Sequence, residues 1–122
     1  MPTTRLPLLI DEQPAPDLEI TGTVVFDAFA RVGREISAGR IKAVVAKVRE
    51  IGGFDAATRW AYHHGDLQVA RDVRGVFGGL CTDPQAVLNQ LDTAITYGTA
   101  AQADEARARL ARIVAYRQQK AA

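Results

Sequence analysis

The sequence predicts an all-α protein: a small bundle of about five or six helices behind an extended N-terminal arm. Prolines crowd one end, with Pro2, Pro7, Pro14 and Pro16 in the first 16 residues and only one beyond them. After that point apolar residues recur at steps of three and four, the period of a helix with one buried face. Capping residues and glycines interrupt the pattern at intervals that suit short helices. Residues 1–22 are therefore read as arm and 23–122 as a helical bundle. A chain of 122 residues with 48% hydrophobic side chains is large enough to bury a core without metals or disulfides.

The arm is held extended by its prolines, each of which fixes φ and removes a backbone donor. Leu6, Leu8, Leu9 and Ile10 make it adhesive, and a short hairpin over residues 18–26 competes with an early helix start. The helix is preferred because Val25, Phe29, Val32 and Ile36 share one helical face, with Thr21 or Thr23 as its cap. Ser37 to Gly39 marks a break. Ile41, Val44, Val45, Val48 and Ile51 then form the clearest stripe, stopped by Gly52-Gly53. Asp55 is expected to cap a third helix bearing Ala57, Trp60, Ala61 and His64. Asp66 is expected to cap a fourth, with Val69, Val73, Val76, Phe77 and Leu80 inward. Gly75, Gly78 and Gly79 weaken that helix and suit a close helix–helix approach. Asp83-Pro84 starts a fifth helix, a carboxylate cap followed by proline at the first helical position. Thr99 caps the last, whose inward stripe is Ala103, Ala106, Leu110, Ile113 and Val114. The expected core comprises Phe29, Ile41, Val45, Val48, Trp60, Val73, Leu88, Leu91, Leu110 and Val114.

Composition removes several kinds of chemistry. Cys81 is the single cysteine, so no intrachain disulfide forms and a stapled secreted scaffold is excluded. No apolar run approaches the roughly 20 residues of a membrane span, and the proline-broken start does not read as a signal peptide; a cytoplasmic location is expected. His63 and His64 are adjacent, so on a helix they diverge and do not chelate one metal together. No nucleophile, base and orienting group are placed together by spacing, and Gly75 to Gly79 lacks the Lys-Ser/Thr of a phosphate loop. No cofactor, no metal and no catalysis are expected.

Charge points elsewhere. Residues 1–22 carry one basic side chain against four acidic ones, a net −3, while residues 23–122 carry 14 against 10, a net +4. An acidic arm on a basic body suits docking on the body or on a partner. On the last helix Arg109, Arg112, Tyr116 and Lys120 share one arc, away from the apolar stripe. A basic row with a tyrosine suits phosphate contacts and base stacking. On the second helix Arg40 and Lys47 flank one side of the stripe and Lys42 and Arg49 the other, a second candidate surface for a polyanion.

Two patches, Ser37-Ala38-Gly39-Arg40-Ile41-Lys42 and Ile113-Val114-Ala115-Tyr116-Arg117, resemble the helical small subunit of CRISPR effector complexes. The matching positions are Ile41-Lys42, an aliphatic-basic pair, and Ala115-Tyr116-Arg117, an Ala-Tyr-basic ending. Gly39-Arg40 departs from that family's polar residues at this point, and Arg59 to Tyr62 echo its arginine- and aromatic-rich middle helix only faintly. The resemblance implies a non-enzymatic subunit lining a nucleoprotein assembly and holding RNA or DNA backbone on basic helical faces. The alternative expectation is a structural or interaction protein, a virion component or an inhibitor, that joins an oligomer or hetero-complex through Leu6, Leu8, Leu9 and Ile10.

Overall fold

The computed structural model describes residues 18–121. Among them there are six helices and no strand: α1 (Gly22–Ala30), α2 (Ala38–Ile51), α3 (Phe54–Tyr62), α4 (Gln68–Cys81), α5 (Pro84–Tyr97) and α6 (Ala100–Ala121). The apolar arm residues Leu6, Leu8, Leu9 and Ile10 lie outside the described residues. The folded unit begins early. Ile20 is buried, Thr21 caps α1 by accepting from the Val24 N–H, and Gly22 is already helical. No hairpin forms over residues 18–26.

α1 ends sooner than its stripe predicts. Gly33 adopts φ 75°, and the Arg34 N–H reaches back 2.9 Å to the Phe29 carbonyl. This left-handed glycine closure satisfies the free carbonyls of a helix end. Val32 is consequently buried from the cap, and Ile36 packs from the following loop rather than from the helix.

The core has two parts. α1 to α4 enclose Val25, Phe29, Val44, Val48, Ala61, Val73 and Val76, with Trp60 and Ile41 at the margin. α5 and α6 pair as an antiparallel hairpin over Val87, Leu91, Ala106 and Ile113, joined to the rest through Val32. The glycines of α4 make the first part possible. A Cβ on Gly79 would run into the Ala28 carbonyl, and one on Gly75 would lie 2.7 Å from the Phe29 ring. α1 therefore crosses α4 at backbone contact.

Local signals place most boundaries. Ser37 caps α2 by accepting from the Arg40 N–H, and Asp83 caps α5 ahead of Pro84. Thr99 and Gln102 form a reciprocal capping box, each side chain accepting from the other's backbone N–H. Other expectations are corrected. Gly53, not Asp55, is the cap residue of α3, at φ 143°, because a double-glycine turn fixes that start. Asp66 does not cap α4, which begins after Leu67; Arg71 instead donates to the Gly65 and Asp66 carbonyls and holds the loop from within the helix. Phe77 and Val114 are exposed rather than core, since no second layer among the described residues covers those faces of α4 and α6; Phe77 keeps a tilted ring contact with Phe54.

Candidate functional site

The basic row of α6 faces the body. Arg109 donates through Nε and Nη2 to the Val32 carbonyl, at 3.3 and 2.8 Å. Arg112 donates to the Gly33 carbonyl at 3.0 Å and pairs with Glu35 at 3.5 Å. Lys120 pairs with Asp27 at 3.5 Å and sits over the Tyr116 ring. Burial raises the Tyr116 hydroxyl above its ordinary value, and the charge of Asp27 adds to it. The row thus stitches α6 to α1 and to the turn that ends it.

The α2 residues divide in the same way. Arg40 makes a two-toothed pair with Asp72, at 2.9 and 2.6 Å, and that hydrogen bond raises the guanidinium above its ordinary value. Lys47 pairs with Glu50 at 3.1 Å and lies over Trp60. Lys42 and Arg49 remain exposed on the far side, with no carboxylate in ion-pair contact among the described residues.

A different set of cations converges. Arg34, Arg71, Arg74 and Arg109 line one cleft of about 350 Å³, bounded by α4, the α1–α2 turn, Val87 and Gln90. Each guanidinium is braced by a neutral group. Arg34 lies over the Phe29 ring and Arg74 over the Tyr62 ring. Arg71 holds the Gly65 and Asp66 carbonyls, and Arg109 the Val32 carbonyl. Carbonyls and rings orient a guanidinium without cancelling its charge. None of the four forms an ion pair among the described residues, and no carboxylate lines the cleft. Their mutual repulsion registers at Arg109. Burial and then the Arg34 charge lower it from the ordinary arginine value, Glu105 opposes, and Arg112 lowers it further.

The floor of the cleft follows from spacing on α4. Arg71 and Arg74 stand one turn ahead of Gly75 and Gly78 and lean back towards Gly65, which leaves the two glycines bare on the floor, with the Arg34 guanidinium 3.4 Å from where a Cβ of Gly75 would be. Gly78 has open space where a Cβ would be. That alternation is visible in the sequence, where the glycines stand out and their arginine neighbours are easily passed over. Arg34 and Arg109 come from distant segments and are brought in only by the fold.

Among the described residues no cluster of three or more His, Cys, Asp or Glu side chains is placed to hold a metal. His64 stacks on Trp60 at 4.8 Å, and Cys81 is exposed. No helix among the described residues is long and apolar enough to cross a membrane. Compared with protein-family models, curated protein sequences and solved structures, the chain matches none.

Proposed function

We propose that this chain is a non-catalytic helical subunit of a nucleoprotein assembly, holding nucleic-acid phosphates in the arginine cleft. The observation that carries the reading is the set of four guanidiniums without a carboxylate partner among the described residues. Uncompensated charge of one sign in a concave, partly desolvated surface concentrates field and attracts a polyanion. Arginine suits the task because its fork matches phosphate oxygens. The role is the one implied by the resemblance of residues 37–42 and 113–117; the contact moves from the α6 row to the cleft. Exposed Lys42 and Arg49 offer a separate basic surface on α2, while Arg40, Lys47, Arg112 and Lys120 are engaged by Asp72, Glu50, Glu35 and Asp27.

The test is fluorescence anisotropy with a labelled, mixed-sequence single strand at about 50 mM salt, where sequence-independent contacts are well populated. The parent protein should bind with a dissociation constant on the order of 1–100 μM. Arg34→Glu with Arg74→Glu should remove binding and keep the helical spectrum, because neither side chain holds a backbone carbonyl. Arg112→Gln with Lys120→Gln should retain it. A parent that does not bind, or a cleft pair that binds like the parent, would defeat the reading.

A further inference from the structure

Beside the cleft lies a larger groove of about 640 Å³ between α5 and α6, and Gln90 and Arg109 line both. Its apolar lining includes Leu91, Ala94, Ala101 and Ala106, of which Leu91 and Ala106 are buried. At its end stands Tyr97, a large ring left 83% exposed, with no ring contact or hydrogen bond among the described residues. Gln102 gives its side-chain carbonyl to the Thr99 N–H, which leaves its amide N–H groups free to donate. Among the described residues Glu105 is the only carboxylate in the lining.

The two hollows are therefore contiguous at Gln90 and Arg109 and differ in the rest of their lining. One gathers four guanidiniums and, among the described residues, no carboxylate. The other offers apolar side chains, amides, a carboxylate and an unstacked aromatic ring. Glu105 sets a negative charge beside the shared Arg109, so the groove attracts phosphate less than the arginine cleft does. The groups present match the parts of a nucleobase instead. A π-face stacks on tyrosine, ring edges exchange hydrogen bonds with amides, and exocyclic amines donate to a carboxylate. A base enters such a groove only when it is unpaired, because a duplex keeps its bases stacked inside.

We infer that the α5–α6 groove receives an unpaired nucleobase stacked on Tyr97, so that the ligand of the arginine cleft is single-stranded. This rests on the cleft being the backbone site. Its test compares three probes by anisotropy at equal salt: a mixed-sequence single strand, its duplex, and an abasic sugar-phosphate oligomer of the same length. The single strand should bind about tenfold more tightly than either of the others, the scale of one stacked base. Tyr97→Ala should erase that advantage and leave abasic binding unchanged, while Tyr97→Phe should keep it. Tyr97 is exposed, so its truncation does not threaten folding. Equal affinity for single strand and abasic oligomer, both lost in the Arg34→Glu/Arg74→Glu variant, would overturn the groove and spare the cleft. Binding of no probe, or binding indifferent to Arg34 and Arg74, would overturn both.

Discussion

Gly79→Ala should destabilise the domain by about 3 kcal/mol or more, at the upper end of what an inserted methyl costs when its surroundings cannot yield. The group it meets is the Ala28 carbonyl. That carbonyl is main chain, fixed inside α1, whereas a flexible side chain would swing away. α1 would have to lift from α4 and loosen Val25, Phe29 and Val76, all buried at the crossing. Gly78→Ala, one residue away, meets nothing within 4 Å. It should stabilise by about 0.5–1 kcal/mol, the helix-propensity gain of alanine over glycine. Urea unfolding of the two variants separates close packing from a general intolerance of α4. Similar midpoints for both would mean that α1 does not ride on the α4 backbone.

Arg40→Met is the second large effect, about 3 kcal/mol of lost stability. The Asp72 side chain is 3% exposed and accepts from Arg40 at two nitrogens and from Gln68 at 2.9 Å. Without the guanidinium a buried carboxylate keeps a single neutral donor, and breaking a buried pair from one side costs about 3–5 kcal/mol. The Arg40 side chain is 39% exposed, so water reaching its vacated edge places the cost at the low end. Adding Asp72→Leu to Arg40→Met should recover most of the loss, because the stranded charge is then gone. Urea midpoints check both steps, and a double variant no more stable than Arg40→Met would contradict the pairing.

What the sequence made legible was local. Asp83-Pro84 and Thr99 announce their helices through hydrogen bonds that span two or three residues, and the structure contains them. The α2 stripe is legible because Val44 and Val48 repeat at the helical period and are buried on one face. The α1 ending was hidden, since Ile36 keeps the helical period of Val25, Phe29 and Val32 after Gly33 has already turned the chain. Val114 shows the complementary failure: periodicity reports an apolar arc but not whether a neighbour covers it. The candidate site was legible in the same partial way. That Arg109, Arg112, Tyr116 and Lys120 share an arc follows from residue spacing. That the arc meets the end of α1 depends on contacts such as Arg109 to Val32, 77 residues apart, and Arg112 to Gly33, 79 apart. The cleft joins Arg34, Arg71, Arg74 and Arg109, and only Arg71 and Arg74 belong to one helix.

The most direct measurement of the central claim is the slope of log affinity against log salt for a single strand. Each phosphate neutralised on a single strand contributes about −0.7 to that slope, so four cleft arginines give about −3. Arg34→Gln with Arg74→Gln should make the slope shallower by about 1.4, while Arg112→Gln with Lys120→Gln should leave it unchanged. An unchanged slope in the cleft pair, or a shallower slope in the α6 pair alone, would contradict the assignment of phosphate binding to the cleft.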